Sequence, residues 1–538
     1  MASSAEAEKF LRWAATVGIS DGPNNTSCLG SSLFLSNFPD AGGRGLAAAR
    51  DTEKGELILK VPKTALMSRH SLLADGGELA KCVGNHPNLS SIQVLVVYLL
   101  SEVARGKNSL WHPYLLQLPR SYDILASFID FESQALQVED AVQVAERATA
   151  VVHQKWKEAQ VLMNEIGLKH RFMNFKSWLW AFATVSSRTL HVPWDAAGCF
   201  CPVGDLFNYA APGANWKVVD DSTLERETIS SESSNENNYQ GRSHSSLHQE
   251  NIKEAPEIEN KGWNDFNGRL TDGGYEAELD AYCFYAQKRY LQGEQVFLCY
   301  GVYTNLELLE HYGFVLKDNP NDKIYIDLDE NMLTSRLWEK NHLYLQCDGK
   351  PSFSLLVALR LYATPPNLRK RIGHLAFSGL QISLENDIAV TKWLLGRCKN
   401  LLAKLPTTIE EDELLLEIID KCDEDDGLQF ISALFQDTEM RQNNDYCVLL
   451  NQFQKWSRLH SEGWHNVTVE INTFFRIHCL QRNECIDLSQ KPEVKRSLDR
   501  WKLAIQWRLG YKTILHRGIL YCNFQLKYLY SSGKNRTE

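Results

Sequence analysis

The stretch GEQVFLCYGVYTNLELLEHYGF, residues 293–314, carries the pattern that decides the fold of the chain around it. Its first half, GEQVFLCY, is a short apolar run ending at Tyr300, which predicts a strand. Its second half, NLELLEHYGF, has helical spacing and places Tyr312 twelve positions after Tyr300. Aromatic residues at such spacing are usually part of a core, and the alternative is that Tyr300, Tyr303 and Tyr312 surround a reacting atom.

Composition limits the classes of protein that this chain can represent. With 538 residues, 44% of them hydrophobic, the chain is long enough for two to four domains with a large buried core. Its formal net charge of −10 gives no basic footprint, so no nucleic acid is expected as a ligand. Apolar runs such as VLVVYLL, residues 94–100, are much shorter than the roughly 20 residues that cross a bilayer, so no membrane span is expected.

The ends of the chain and its cysteines suggest a location. The first residues, MASSAEAEKF, have neither a signal-peptide nor a transit-peptide pattern. Thirteen cysteines are scattered along the chain, which favours reduced thiols and a cytoplasmic or nuclear protein. The close pair Cys199 and Cys201 has no second pair at zinc spacing, which favours structural cysteines over a metal site.

Hydrophobic periodicity divides the chain into a mixed part and a helical part. Short strands are predicted over about 30–65, helices over about 66–190, and strands again in GCFCPVGDLFNY, LDAYCFYAQKRY and GEQVFLCY. The intervening stretch of about 217–265 is rich in Ser, Asn and Glu and is predicted to be a disordered loop. From 329 to about 525 the pattern is helical, which leaves 1–28 as an N-terminal segment and 526–538 as a tail. One helix, TTIEEDELLLEIIDKC, begins with a predicted capping box of Thr408 and Glu411.

Two further segments carry residues suited to ligand binding. Gly43 and Gly45 in GGRG permit positive φ and close approach of the backbone to a ligand, although ordinary tight turns have the same pattern. In DLFNY, residues 205–209, Asn208 offers both a carbonyl acceptor and an amide donor, although an Asx turn is the commoner explanation. Taken separately, neither segment decides a function.

In this order the segments resemble the SET-domain protein methyltransferases, and the helical insertion narrows the resemblance to the Rubisco large-subunit methyltransferase-like class. The motifs that carry it are GRGLAAARDTEKGELILKVP, WHPYLLQLP, SR followed by DLFNY, GEQVFLCYGVYTNLELLEHYGF and, near the C-terminus, LPTTIEEDELLLE and WRLGYKTIL. The resemblance implies an α+β fold, in which a SET-domain β fold over 29–328 carries a large helical insertion and is followed by an all-α substrate-binding-like domain. It also implies a chain crossing that brings DLFNY and YGF together.

The same resemblance implies S-adenosylmethionine as cofactor and a set of residues around it. The implied cofactor-binding positions are Gly43, Arg44, Gly45, Leu46, Ser187, Arg188, Asp205, Asn208, Tyr209 and Tyr312. Within this set, Arg44 and the Gly43–Leu46 turn hold the cofactor, Asn208 its amino-acid part, and the backbone at Tyr209 the adenine. Tyr300 and Tyr312 are the implied catalytic pair lining a lysine channel, while Tyr303 is a turn residue.

Two departures from the family pattern leave a second hypothesis open. The usual Asn-His pair is Asn208-Tyr209 here, and a glutamate that commonly precedes the first glycine is Gly42. The main expectation is an S-adenosylmethionine-dependent protein-lysine N-methyltransferase, a monomer acting on a non-histone protein docked on the helical C-terminal domain. The class also includes a histidine-methylating branch. Tyr312 favours lysine as the target, because a small residue at this position would leave more room for an imidazole. The alternative is a catalytically weak or inactive SET-fold adaptor.

Overall fold

A computed structural model describes residues 4–22, 27–38, 43–211, 273–328, 340–422 and 492–534, together with positions 467, 469–471, 473, 474 and 477. The loop predicted over about 217–265 lies outside the described residues, as does Gly42. The chain begins with helix α1, Ser4–Thr16, whose Phe10 and Ala14 are fully buried in the same core as the strands that follow. The N-terminal segment is therefore packed against the strands.

Short strands build the first part of the fold. They are β1 Leu33–Phe38, β2 Gly43–Ala48, β3 Leu57–Pro62, β4 Thr189–Val192, β5 Asp195–Phe200, β6 Asn208–Tyr209, β7 Gly273–Glu276, β8 Ala281–Tyr285 and β9 Gln295–Leu298. Among the described residues they form sheets in the orders β1-β2-β9-β6, β3-β8-β7 and β4-β5. Strand β9 pairs antiparallel with β2 and parallel with β6. The GRGL and NY segments therefore flank the strand that ends just before Tyr300.

The Gly43–Leu46 segment is part of a strand, so the prediction of a turn there is wrong. Strand β2 pairs with β1 along its whole length, from Gly43 opposite Phe38 to Ala48 opposite Leu33. Leu46 is fully buried, and the apolar residues after it continue into the core. A strand forms despite the local turn signal because β2 finds backbone partners in β1 along its whole length and in β9 at Leu46 and Ala47.

A helical layer separates β3 from β4, within the stretch predicted as an insertion. Its helices are α2 Arg69–Asp75, α3 Glu78–Gly84, α4 Ser91–Arg105, α5 His112–Leu115, α6 Asp130–Gln134, α7 Glu139–Glu165 and α8 Phe175–Arg188. Helix α4 starts at a capping box between Ser90 and Gln93 and buries the apolar run that follows. Helix α5 begins in the WHPY sequence with a proline in its first turn, where the missing N–H costs nothing.

The C-terminal part is mainly helical, as predicted. After β9 the elements are α9 Asn305–His311, β10 Lys323–Tyr325, β11 Tyr344–Gln346, α10 Phe353–Ala363, α11 Pro366–Phe377, α12 Leu384–Ala403, α13 Ile409–Cys422 and α14 Pro492–Lys534. The Thr408 N–H donates to Glu411 at 2.6 Å and the Glu411 N–H donates to the Thr408 hydroxyl at 3.2 Å, which confirms the predicted capping box. Strands β10 and β11 form a two-stranded antiparallel sheet that the helical pattern did not predict. Helix α14 continues through the positions predicted as a tail, as far as Lys534.

None of the described helices contains a stretch that is long and apolar enough to cross a bilayer.

Candidate functional site

A cleft lies where the end of α8, the loop before β6 and the tyrosines after β9 meet. Its walls are formed by Ser187, Arg188, Thr189, Leu190, Gly204, Asp205, Tyr300 and Tyr312. Five of these positions belong to the set implied by the resemblance: Ser187, Arg188, Asp205, Tyr300 and Tyr312. The fold therefore brings residues from three distant segments to one opening.

Asp205 and Arg188 form the charged part of this cleft. The Arg188 guanidinium donates to the Asp205 backbone carbonyl at 2.8 Å and lies 3.8 Å from its carboxylate. The Tyr114 hydroxyl of α5 donates to Oδ2 of the same carboxylate at 3.0 Å. Burial raises the pKa of Asp205, while Arg188 and the Tyr114 hydrogen bond oppose that rise. The Oδ1 atom of Asp205 is buried without a hydrogen-bond partner, so one acceptor remains for a ligand.

The backbone immediately before Asp205 is tightly constrained. Val203 has a positive φ of 71°, which is unusual for a β-branched residue and marks local strain. A Cβ on Gly204 would lie 2.5 Å from the Phe284 ring and 2.8 Å from the Cys201 sulfur, so only glycine fits. These two positions fix the short turn that carries Asp205 into the cleft.

Arg44 does not line the cleft, but its charge interacts with those of Asp205 and Arg188, which do line it. Its guanidinium donates to the Gln117 side-chain oxygen at 2.7 Å and to the Gln117 backbone carbonyl at 2.9 Å. Burial lowers the pKa of Arg44, Asp205 raises it and Arg188 lowers it further. The charges of Arg44 and Arg188 therefore both act on the Asp205 carboxylate, although only Arg188 is within ion-pair distance of it.

Gly45 and Asn208 meet across the sheet. Asn208 pairs with Phe297 in the parallel ladder of β6 and β9. A Cβ on Gly45 would lie 2.7 Å from the Asn208 side-chain nitrogen and 3.1 Å from that of Gln295. The glycine is needed so that the Asn208 amide can lie over β2. Leu46, the next residue, directs its side chain into the core, which leaves only its backbone for a ligand.

The tyrosines after β9 belong to one aromatic cluster with Tyr209. The ring centroids of Tyr300 lie 5.3 Å from Tyr312 and 5.2 Å from Tyr209. The Tyr209 hydroxyl donates to the Gly301 carbonyl at 2.9 Å, and the Tyr300 hydroxyl donates to the Phe207 carbonyl. The DLFNY and YGF segments are thus in contact, as the resemblance implied.

Helix α9 places Tyr312. Its first turn is closed by a capping box in which the Glu307 N–H donates to the Thr304 hydroxyl at 3.3 Å and the Thr304 N–H to Glu307 at 2.7 Å. At its other end, the Gly313 N–H donates to the Leu308 carbonyl at 3.0 Å, with a positive φ of 77° that favours glycine. Tyr312 lies between these fixed points, at the C-cap of the helix.

Tyr303 is more than a turn residue, and that prediction is wrong. Its ring centroid lies 5.5 Å from that of Tyr312 and the two hydroxyl oxygens are 3.4 Å apart. Its ring also covers Gly301, where a Cβ would come within 2.9 Å of it. The Tyr303 backbone carbonyl accepts a 2.8 Å hydrogen bond from Asn319. Tyr303 is therefore part of the aromatic wall next to Tyr312.

Sequence reasoning gave no role to two residues of the WHPYLLQLP motif. Tyr114 holds the Asp205 carboxylate, and Gln117 holds Arg44. In the sequence, the motif supports the family resemblance but indicates no role for its individual residues. The available signal was that a buried tyrosine or glutamine needs a hydrogen-bond partner.

Cys199 and Cys201 are free and buried, and burial raises the pKa of both thiols. Across the described ranges, no three or more histidine, cysteine, aspartate or glutamate side chains are grouped so that they could hold a metal ion.

Comparisons with known proteins find relatives of this chain over nearly its full length. The family model for the Rubisco LSMT substrate-binding domain matches residues 319–455. Protein SET DOMAIN GROUP 40 of Arabidopsis thaliana is 44% identical over 533 residues, which are 97% of this chain and 96% of that protein. The actin-histidine N-methyltransferase of Xenopus tropicalis is 25% identical over 419 residues, which are 71% of this chain and 61% of that protein.

Solved structures show the same fold. Rubisco LSMT bound to sinefungin and monomethyllysine has a TM-score of 0.53 and 16% identity, covering 98% of this chain and 93% of that one. Rubisco LSMT bound to AdoMet has a TM-score of 0.52 and 17% identity over the same shares. The likeness confirms the predicted architecture, a β fold with a large helical insertion followed by a helical domain.

Proposed function

The chain belongs to the SET-domain family of Protein SET DOMAIN GROUP 40, and from this premise we propose that it transfers a methyl group from S-adenosylmethionine to a lysine of a protein. The observation that carries the proposal is the cleft itself, in which a carboxylate–guanidinium group and a tyrosine pair face one space. A binding module would not need both parts in one opening.

The residues present fit the amino-acid end of this cofactor. An ammonium group needs acceptors, and Asp205 has a buried carboxylate oxygen with none of its hydrogen-bonding capacity used. A carboxylate needs donors, and Arg188 supplies a guanidinium at the same cleft. Asn208 lies at the neighbouring strand, where Gly45 leaves room for close approach. These residues would hold the cofactor.

S-adenosylmethionine, when bound, supplies a methyl group on a positively charged sulfonium. The tyrosine pair then has to align a neutral amine and exclude water. At neutral pH a lysine in water is mostly protonated, and its neutral form costs roughly 4 to 5 kcal/mol. Burial beside Tyr300 and Tyr312 lowers that cost because the loss of water disfavours the charged ammonium.

The preference for lysine over histidine rests on the size of the residue at 312. The Tyr312 ring packs against both neighbouring tyrosines, with its centroid 5.3 Å from that of Tyr300 and 5.5 Å from that of Tyr303. A site walled by three large rings suits the unbranched stem of a lysine better than an imidazole, for which a small residue at 312 would leave more room. The actin-histidine methyltransferases, at 25% identity, are distant enough for the target residue to differ.

Tyr209 in place of the family's histidine does not argue for the adaptor hypothesis. Its ring packs against Tyr300 and Phe314, and its hydroxyl bonds to Gly301. Its backbone pairs with Leu298 in the sheet, as any residue at this position would. The substitution therefore builds the aromatic cluster and leaves the cleft lined by the polar residues that an enzyme requires.

The target that we propose is a non-histone protein in the cytoplasm or nucleus, bound by a monomer. The docking part is the helical C-terminal region, since residues 319–455 match the Rubisco LSMT substrate-binding family.

Transfer of label from methyl-labelled S-adenosylmethionine into proteins of a cell extract tests the proposal. The intact protein is compared with Asn208→Ala and Tyr312→Phe, and with Tyr528→Phe, which changes a tyrosine that is 63% exposed on α14. We expect discrete labelled bands that fall at least about tenfold in the first two variants and persist in the third. Hydrolysis of the labelled band should release methyl-lysine. Methyl-histidine would overturn the lysine assignment, and no saturable S-adenosylmethionine binding would overturn the enzyme.

A further inference from the structure

We propose that Gln117 is a positioning residue, which holds the Arg44 guanidinium near Asp205 and Arg188 as a second cation for the carboxylate end of the cofactor. The inference rests on the proposed function, because it takes S-adenosylmethionine as the ligand. It concerns a residue that lies outside the cleft and acts through another side chain.

The contact between Gln117 and Arg44 is specific in its geometry. Gln117 lies just after α5 and is buried. Its side-chain oxygen accepts from one terminal nitrogen of Arg44 at 2.7 Å, and its backbone carbonyl accepts from the other at 2.9 Å. Two bonds to a planar guanidinium fix its orientation as well as its position.

The same short helix also holds the carboxylate of the cluster. Tyr114, three residues before Gln117, donates to Asp205 at 3.0 Å. Helix α5 and the residues just after it thus position both the Asp205 carboxylate and the Arg44 guanidinium. Since α5 is only one turn long, it needs support from outside to hold both.

Helix α1 provides that support. The Phe10 ring lies 6.3 Å from the Tyr114 ring, and the Trp13 ring lies 6.0 Å from the Trp111 ring. The Gln117 amide donates to the Glu6 carbonyl at 3.5 Å, the outer limit of a hydrogen bond. The N-terminal helix therefore braces α5, which in turn places Tyr114 and Gln117.

The charges of this group favour a negatively charged ligand. Arg44 and Arg188 carry two positive charges against the single carboxylate of Asp205, and each charge acts on the others. Among these three side chains, one positive charge has no negative charge to balance it. A ligand with a carboxylate would supply it, and the amino-acid end of S-adenosylmethionine has one.

Calorimetric titration of two ligands tests the role of Gln117. S-adenosylmethionine carries the amino-acid end, whereas 5′-methylthioadenosine has the same nucleoside without it. We expect Gln117→Ala to weaken S-adenosylmethionine binding by about tenfold, the loss of one charge-assisted hydrogen bond, and to change 5′-methylthioadenosine binding by less than about twofold. Leu116→Ala, which alters a half-exposed neighbour, is the matched control and should bind both ligands like the intact protein.

Gln117→Glu separates positioning of a charge from a merely structural role. The glutamate keeps an acceptor for Arg44 but cancels its charge, so S-adenosylmethionine binding should fall while the melting temperature is retained. If Glu restores full S-adenosylmethionine affinity, or if both ligands weaken together in Gln117→Ala, the inference is overturned.

Two further outcomes keep the inference separate from the proposed function. If the intact protein binds S-adenosylmethionine and the Gln117 variants bind it equally well, only the inference fails; if the intact protein binds neither ligand, the proposed function fails as well. Should Gln117→Ala not fold, Arg44→Lys tests the same contact from the other side. Lysine keeps the charge without the two fixed bonds, so the same selective loss for S-adenosylmethionine is expected, and equal affinity would overturn the inference.

Discussion

At the scale of single residues, Gly45 shows how a missing side chain makes room for the Asn208 amide. A Cβ there would lie 2.7 Å from the Asn208 side-chain nitrogen, a distance at which one of the two must move. We expect Gly45→Ala to displace the Asn208 amide and weaken S-adenosylmethionine binding by about tenfold, within the range of 1–3 kcal/mol typical of overpacking. Titration calorimetry measures it. Gly274→Ala is the control, since a Cβ at Gly274 meets nothing within 4 Å; equal affinities for the two variants would contradict the prediction.

Substitutions of Tyr303 distinguish an effect on the proposed lysine channel from an effect on the proposed cofactor site. Its ring lies 5.5 Å from Tyr312, whereas the two hydroxyls are 3.4 Å apart, near the limit for a hydrogen bond. The ring should therefore matter more than the hydroxyl. We expect Tyr303→Ala to lower kcat/KM for the protein substrate by about tenfold or more and Tyr303→Phe by less than about threefold. Neither should alter S-adenosylmethionine affinity; a loss of cofactor binding would place Tyr303 elsewhere in the site.

At the scale of elements, helix α9 carries a carboxyl group that makes its stability depend on pH. Burial, and then the charge of Glu307, raise the pKa of Glu310 from 4.5 to about 7, while Arg147 opposes the rise. The folded state holds the Glu310 proton more tightly than the unfolded chain does. The protonated carboxyl therefore contributes fully to the free energy of unfolding below pH 4.5, and this contribution is lost as the pH rises to about 7.

The predicted result is a pH-dependent difference between Glu310→Gln and the intact protein. Urea unfolding should give the variant a higher free energy of unfolding at pH 7.5, by up to about 3 kcal/mol, and a smaller advantage at pH 5. Glu278→Gln, which removes the same charge from an exposed turn, serves as the comparison. An advantage of Glu310→Gln that stays constant from pH 5 to 7.5 would speak against titration of this group.

The elements also show where sequence reasoning succeeds and where it stops. Local signals were enough for the capping box at Thr408 and for the strands on either side of the insertion. The glycines of the Gly43–Leu46 segment are local signals that predict a turn, whereas the pairing of β2 with β1 and β9 is not visible in the segment itself. The contact between Tyr209 and Tyr300 came only from the family resemblance, since no periodicity links residues 91 positions apart.

The same limit applies to the site. Arg188, Asp205 and the tyrosines after β9 were found through motifs, and they line one cleft. Gln117 and Tyr114 were missed because their roles depend on partners 73 and 91 positions away in sequence. A hydrogen bond of this kind leaves no spacing pattern, so only the structure reveals it.

At the scale of the whole molecule, the helical insertion and the C-terminal helices share one core. Leu125 and Leu136 of the insertion region pack in the same cluster as Leu415 of α13 and Trp501 of α14. Polar contacts cross the same boundary: Arg500 of α14 donates to Glu132 of α6 at 2.7 Å. Because the insertion also carries α5, the C-terminal helices stabilise the layer that positions Tyr114 and Gln117.

Arg508 is one of several fully buried charged residues at this boundary. It is fully buried, donates to Asp412 of α13 at 2.8 Å and to the Ala135 carbonyl of the insertion at 2.7 Å. Arg508→Met keeps the bulk but leaves Asp412 with one cation fewer and the carbonyl without its donor. Removing one partner of a buried pair typically costs about 3–5 kcal/mol, so urea unfolding should show a loss of that size.

The matched control for Arg508→Met is Lys176→Met, which breaks an ion pair across the same pair of regions at the surface. Lys176 and Glu493 are 3.1 Å apart, with side chains 78% and 83% exposed, and solvent-exposed pairs of this kind contribute little to stability. If burial determines the strength of the boundary, Arg508→Met must lower the free energy of unfolding clearly more than Lys176→Met does. The Arg508 variant should also lose S-adenosylmethionine affinity, because loosening the insertion displaces α5. Equal unfolding free energies would mean that apolar packing alone holds the two regions together, and unchanged cofactor affinity would mean that α5 keeps its place without them.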